Sequence, residues 1–557
     1  MNREIRNSNT KIAIAVPIAM QVAITTAVVL LVGTRGWDDG AITLAYSKTF
    51  AATGRIALTP LSEQVEGFST IAWFLINSFV ALFQPSFATA IAVAQGMTGL
   101  FFCLTILQIW LLTKDLKLDK FASALLLSTY AALGMSLSEI ANGMEMPLLC
   151  FTGVGVVRNL YFRSNLLQAA AFGSVFLLTR FEAMVYYAFI LAPLLYERRT
   201  KDFVILALTG TAVLGGTEAL RLWLFSDWVP NTIYAKMQPP YHEDNLRELA
   251  KKASAAFEVV RAMPLLFSSM AIIVYLHFAC FLDSFNQRTE LFTKSLYLFA
   301  PMFGVIAFNS AIGTNWGYVG RMQTLAFPFA LLLFGFWSKK LELFRSELQR
   351  SYVLIATIVT VVVSWWSSAK PPLSQAYLTI RSQAQSAPFG VTPASYRLTG
   401  LAVDRIRELT GRASISFLTP DVGGVGLCCS RVRIVDLGLL ANRILAHQGY
   451  GALDEVISTE RPELIEAHEQ WAEIPMLYKL ASFTRSYEPL IIDNTRMYVR
   501  RDVAKELLVS GFAVTCSLED KNCRSRALIE HRYALYSTKD DDFEFLKSGY
   551  FVDVTSR

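Results

Sequence analysis

The loop at 34–86 follows the first apolar run and opens on two adjacent carboxylates, Asp38 and Asp39. Paired carboxylates beside a membrane repel each other, and ionisable groups in such a place more often do chemistry than packing. A carboxylate there can act as general base on a hydroxyl. Two of them can also divide the roles of base and nucleophile, or hold a divalent cation. The structural alternative is an Asp that starts a helix over 41–50, or a solvated pair.

Arg180 and Arg321 come next, each beside an apolar run. A guanidinium binds phosphate through two parallel hydrogen bonds and stays charged when partly desolvated. The bland alternative is an arginine snorkelling to the interface. Glu182, two residues from Arg180, could neutralise it and make it structural. Lys236 is a weaker phosphate candidate and reads equally as a surface lysine. Glu66, Glu145 and Glu182 suit hydroxyl binding or the orientation of an arginine, and a local cap or salt bridge stands against that. Asn231 and Tyr234 have the polar and aromatic character of a sugar site, and could equally fix a loop.

These residues need a scaffold, and composition says which. Of 557 residues, 53% are hydrophobic and 17% charged, and mean hydropathy is +0.39. That balance belongs to a polytopic membrane protein. The first run, 12–33, is too long for a signal-peptide core and lacks a convincing cleavage site, so a retained anchor is expected. A net charge of +6 calls for no nucleic-acid partner.

Spans are expected near 12–33, 87–113, 121–137, 144–160, 165–179, 183–196, 203–225, 263–283, 295–311, 322–337 and 352–367, about 11 in all. Residues 69–84 are apolar but brief and read as an interfacial helix. Basic residues fall in every second short loop: Arg3, Arg6 and Lys11; Lys114, Lys117 and Lys120; Arg158 and Arg163; Arg198, Arg199 and Lys201; Arg288 and Lys294; Lys339, Lys340, Arg345 and Arg350. Those loops are expected to face the cytoplasm, which puts the N-terminus inside and the tail outside. Under this topology Asp38, Asp39, Glu66, Asn142, Glu145, Arg180, Glu182, Asn231, Tyr234, Lys236, Asn315, Trp316 and Arg321 all gather on the outer side.

The chain divides into a membrane domain, 1–370, and an extracytoplasmic α/β domain, 371–557. In the latter, 415–418 and 433–435 read as strands, 439–446 as a helix, and 490–492 with 497–499 as a hairpin through Asp493 and Asn494. Cys103, Cys150 and Cys280 read as packing residues. Cys516 and Cys523 either close a small disulfide loop or stay unbonded. Gly423, Gly424 and Gly426 match no dinucleotide or phosphate-loop pattern and read as a turn. Asp540–Asp542 read as a solvated charge run. The five histidines form no zinc or nucleophile-triad arrangement, so no zinc or covalent cofactor is expected.

The stretch WDDGAITLAYSKTFAATGRIALTP followed by EQVEGFST resembles the first outer loop of GT-C membrane glycosyltransferases. The likeness is nearest to the mycobacterial terminal beta-arabinofuranosyltransferase family. NGMEMPL at 142–148, TRFEA at 179–183, PNTIYAKM at 230–237, NWGYVGRMQTLAFP at 315–328 and DVGGVGLCCSRVRIVDLGLL at 421–440 resemble further motifs of that family, in order. The chain departs from the pattern at Phe181, where proline is common, and in the paired cysteines after Gly426.

The resemblance implies a multi-pass enzyme of a bacterial plasma membrane. It would move a sugar, arabinofuranose first, from a polyprenyl-phosphate donor to a glycan or glycoconjugate acceptor outside the cytoplasm. Asp38 or Asp39 would activate the acceptor hydroxyl. Arg180, Arg321 and Lys236 would hold the donor phosphate, and Glu66, Glu145, Glu182, Asn231 and Tyr234 would bind substrate. A divalent cation at Asp38 and Asp39 is compatible with this, and the stereochemical course is open. Another lipid-phosphate sugar is the runner-up, and a lipid-linked sugar transporter or flippase is the rival class. Transporters usually keep polar residues near the midplane and show internal repeats; here polar residues gather on one face without a repeat.

Overall fold

A computed structural model describes residues 2–239, 241, 290–312, 321–340, 346–366, 373, 391–468, 470–493, 495–523 and 549–554. Through the membrane half run α1 (Asn2–Leu31), α2 (Asp39–Thr53), α3 (Ile71–Ala81), α4 (Phe87–Asp115), α5 (Lys120–Ala132), α6 (Met135–Asn142), α7 (Met146–Val157), α8 (Leu166–Thr179), α9 (Ala183–Tyr196), α10 (Thr200–Phe225), α11 (Asn231–Lys236), α12 (Glu290–Ile312), α13 (Ala326–Lys340) and α14 (Glu347–Ser364). Local chemistry sets their ends. The side chains of Ser86, Asp119 and Asn165 accept backbone N–H bonds in the first turns of α4, α5 and α8, as N-caps do. Ser346 and Gln349 close a capping box on α14.

This is a multi-pass helical membrane protein. Helices α1, α4, α10, α12 and α14 are long and apolar enough to cross a membrane, and α5 with α6, bent by 48° at their junction, would make a sixth span. Ten of the eleven expected segments carry helices, and 263–283 lies outside the described residues. Eleven spans are therefore not reached by length. The 14 residues of α9, for example, rise only about 21 Å at 1.5 Å each, against a hydrocarbon core of about 30 Å. The 11-residue α3 is also too short to cross, which agrees with reading 69–84 as other than a span.

A core of Phe102, Ile106, Tyr130, Phe176, Tyr186, Phe327 and Phe329 with their neighbours ties these helices together. Among the described residues, the basic loops around 114–117, 158–163 and 339 meet at one end. There Asp115 pairs with Arg158 at 2.9 Å and with Arg163 at 2.7 Å, and Lys339 donates to the carbonyl of Lys117 at 2.8 Å. The turns that carry Asp38, Glu145, Arg180, Lys236 and Arg321 meet at the other end, where they line one cavity.

The tail folds as α15 (Pro393–Leu409), β1 (Ile415–Thr419), α16 (Gly423–Cys428), β2 (Val432–Asp436), β3 (Leu464–Ile465), β4 (Tyr487–Ile492), β5 (Thr495–Arg500), β6 (Ala513–Ser517) and β7 (Tyr550–Val554), with short helices between. The strands form one mixed sheet in the order β2-β1-β3-β5-β4-β7-β6. Strands β2, β1 and β3 are mutually parallel, and β4 and β5 form the expected hairpin, with Asp493 in the left-handed region at φ 46°. Side chains alternate between the sheet faces as strand geometry requires. Ile415, Phe417, Val432 and Ile434 point to one core, and Leu418 and Val435 to another.

The first of those cores is shared. Leu44, Tyr46, Leu58, Phe68, Trp73 and Phe74 of the first loop pack in it with Val403, Ile406, Phe417 and Val425 of the tail. Thr59 donates to the carbonyl of Val432 at 2.8 Å, and the Ile434 N–H donates to Ser62 Oγ at 3.0 Å. The loop and the tail thus lie on the same side of the helices. The first loop and the tail therefore share one core.

Cys516 and Cys523 are bonded, the first of the two alternatives, and Cys428 is bonded to its neighbour Cys429. Asp540–Asp542 lie outside the described residues.

Candidate active site

The aspartate pair sits at the start of α2. Asp38 occupies the N-cap position but makes no side-chain cap bond. Its carboxylate turns instead to the tail: the Gly423 N–H donates to Oδ2 at 2.6 Å and the Gly424 N–H to Oδ1 at 2.7 Å. Both donors belong to the first turn of α16. Gly423, Gly424 and Gly426 are therefore helical, not a turn, because β1 leads through Pro420–Val422 into a helix whose unbonded N–H groups need an acceptor. A side chain at Gly423 would press its Cβ to 2.8 Å from Asp38 Oδ2, so glycine permits the approach. Asp38 is 3% exposed. Burial pushes its pKa up to about 7 against the opposing pull of the two N–H bonds, and the charge of Asp39 adds to the rise.

Asp39 is in a different situation. Its side chain is 51% exposed, and Oδ2 lies 3.4 Å from Arg321 Nη1. Both residues line a cavity of about 370 Å³ between the helix ends and the tail. Arg180 and Lys236 line it too. Arg180 is committed: Nε lies 2.5 Å from Glu182 and Nη1 bonds to Glu145. Glu145 and Glu182 thus hold an arginine, the alternative reading given for each, and Glu145 also lines the cavity. Lys236 is no surface lysine. Desolvation, with the repulsion of Arg180, lowers its pKa to about 8. It makes no ion pair among the described residues.

Three further expected substrate residues lie elsewhere. Glu66 pairs with Arg221 at 2.5 Å and lines a neighbouring, mostly apolar pocket that shares Ser69 and Arg180 with the cavity. Asn231 donates to the carbonyls of Leu440 at 2.8 Å and Leu439 at 3.2 Å, so it fixes the tail on α11. Tyr234 stacks on His447 with ring centroids 3.9 Å apart. For these two the loop-fixing alternative is what the contacts support. Asn315 and Trp316 lie outside the described residues.

The tail supplies the opposite wall. At the carboxyl ends of the parallel strands, where α/β sheets commonly bind ligands, stand Asp421 after β1 and Glu466 and His468 after β3. The Thr419 hydroxyl donates to Glu466 Oε2 at 2.7 Å, and Glu466 Oε1 holds His468 Nδ1 at 2.8 Å. His468 Nε2 then lies 3.4 Å from Asp421 Oδ2. Burial raises the Asp421 carboxyl well above the usual range; His468 opposes the rise, and Asp38 and Glu466 add to it. Gln470 and Trp471 complete the wall. No role was read for this group in the sequence, because a two-residue strand gives no alternation to mark its end.

The residues do not fit a resident divalent cation. Both oxygens of Asp38 already accept backbone N–H bonds, and among the described residues no three His, Cys, Asp or Glu side chains are grouped to hold a metal ion. What the arrangement can do is hold an anionic group against Lys236 and Arg321 while Asp39 meets a hydroxyl beside it.

No family model matches this chain, and no curated protein matches it. Among solved structures it is similar to the oligosaccharyltransferase of Archaeoglobus fulgidus in its apo form. That likeness has a TM-score of 0.48 at 12% identity, over 87% of this chain and 74% of that one. A likeness of that size assigns neither an activity nor a substrate to this chain.

Proposed function

We propose that this protein is a membrane glycosyltransferase. It moves a sugar, arabinofuranose first, from a polyprenyl-phosphate donor to a glycan acceptor outside the cytoplasm. One observation carries the reading: an accessible carboxylate, Asp39, shares a membrane-edge cavity with Lys236 and Arg321. The donor phosphate lies against those two cations. The acceptor hydroxyl gives its proton to Asp39, its oxygen bonds to the anomeric carbon, and the sugar–phosphate bond breaks. The electron pair of that bond leaves on the lipid phosphate, where the cations stabilise it. Asp38 is a positioning residue, since its carboxylate is enclosed and engaged. The apolar pocket that meets the cavity at Ser69 and Arg180 suits the first isoprene units of the donor. The motif resemblance supports arabinofuranose.

The position of the polar groups at helix ends argues against transport, which keeps its sites near mid-membrane. The test is transfer of radiolabelled sugar by the purified chain in detergent. Polyprenyl-phospho-arabinofuranose is compared with other polyprenyl-phosphate sugars, using a neutral oligosaccharide acceptor. Transfer from the arabinose donor is the expected result. Transfer only from another donor removes arabinose, and transfer from none removes the enzyme reading.

A further inference from the structure

We propose that the tail's wall of the cavity, formed by Asp421, His468, Gln470 and Trp471, is the acceptor subsite and takes a neutral sugar. The inference rests on the transfer reaction above and adds where, and by what chemistry, the acceptor binds.

Among the described residues, the arginines and the lysine of the cavity come from one half of the molecule. Lys236, Arg321 and Arg180 come from the membrane half, and Asp421 and His468 from the tail, with Glu466 behind His468. A lipid phosphate is drawn to Lys236 and Arg321, and among the described residues the tail's wall offers no arginine or lysine to hold a second anion. A neutral sugar needs no such cation, and its hydroxyls, which both donate and accept, suit a carboxyl and an imidazole. The Asp421 side chain lines the cavity and keeps 17% exposure, so a hydroxyl can reach it, while its Oδ2 is enclosed and accepts no hydrogen bond. Its nearest cation is His468 Nε2 at 3.4 Å, beyond ordinary hydrogen-bond length.

The wall is also braced. Tyr396 OH lies 3.3 Å from Glu466 Oε2 and 3.4 Å from His468 Nδ1. Together with Thr419 it fixes the carboxylate that fixes the imidazole. Trp471 meets the Tyr241 ring edge-on at 5.9 Å, and the Tyr241 hydroxyl donates to the Gly438 carbonyl at 3.0 Å. A held indole beside hydrogen-bonding groups suits a ligand with one apolar face and a polar rim, as a sugar ring has. Held groups lose little entropy on binding.

The experiment uses the full chain in detergent and varies donor and acceptor separately for wild type, Asp421→Asn and Trp471→Ala. The first substitution is isosteric and keeps the wall's shape. Binding of the neutral oligosaccharide without donor is measured alongside by calorimetry. Acceptor KM is expected to rise about tenfold or more in both variants, with donor KM within about twofold and oligosaccharide binding weakened in parallel. A rise in donor KM with acceptor KM and binding unchanged would overturn the proposal. If wild type transfers no sugar, the function reading falls by itself. Oligosaccharide binding weakened by Asp421→Asn would then still uphold the subsite, and its absence in wild type would end it.

Discussion

Asp38 and Asp39 are neighbours, but one is 3% exposed and engaged by two backbone N–H groups, and the other stands half-exposed beside Arg321. Asp38→Asn replaces one acceptor oxygen by a donor facing an N–H, and should cost about 1–3 kcal/mol of stability. That cost should vary with pH. The folded pKa of Asp38, about 7, lies above its ordinary 3.8, so folding favours the protonated form. Its stabilising contribution is full below about pH 4 and is lost as pH rises through about 7. Melting curves of wild type and Asp38→Asn from pH 4 to 8 should therefore differ most at the acid end; a difference growing toward pH 8 would contradict the burial argument. Arg180 and Lys236 should separate as cleanly. Arg180 lies between two carboxylates with its side chain 4% exposed, so Arg180→Gln leaves buried charges unpaired and should cost about 3–5 kcal/mol. Lys236→Gln should leave the melting temperature near wild type and raise donor KM about tenfold to a hundredfold. With a Lys236 pKa of about 8, wild-type kcat/KM for donor should fall as pH rises through that value, and the variant should lack the fall. The pair Asp38–Asp39 and the Arg180-x-Glu182 spacing were legible in the sequence. The glutamate partners of Arg180 were among the readings offered, but the tail partner of Asp38 was not, because Gly423 stands 385 residues away and no local pattern reports such a contact.

The site is made by the ends of secondary-structure elements. Helix α16 is only six residues long, yet its first turn, together with β2, grips the first loop. Gly423→Ala should push that turn away from Asp38 and destabilise the protein by about 1–3 kcal/mol. Thermal unfolding and donor KM measured on the same sample would test this; an unchanged melting temperature would mean the grip does not matter. Hydropathy located the membrane helices because burial in lipid and in a helical core select the same residues. Among the described residues eleven spans are not reached, because several of these helices are shorter than the bilayer. The hairpin was visible from its alternation and its Asp493–Asn494 turn. The glycines after Asp421 were misread as a turn because a short helix has no full period to recognise. β3, with two residues, gave no signal, so the wall that follows it stayed hidden.

At the scale of the whole molecule, the membrane half and the tail share a hydrophobic core through the first loop, and they enclose the cavity together. Neither half alone carries the site: the cations and Asp39 come from one, Asp421, His468 and Trp471 from the other. The sequence suggested two parts and one active side. It could not say that α2 would pack among the tail's own helices, since that depends on complementary surfaces and not on periodicity. In the proposed transfer from a lipid-borne donor to a glycan acceptor, Asp39 is the group on which the account turns. The most direct measurement is sugar transfer from a polyprenyl-phosphate donor by wild type and by Asp39→Asn, each shown to be folded by its melting temperature. The account predicts a loss of about a hundredfold or more in kcat, with donor KM changed little. Transfer at the wild-type rate by a folded Asp39→Asn protein would contradict it.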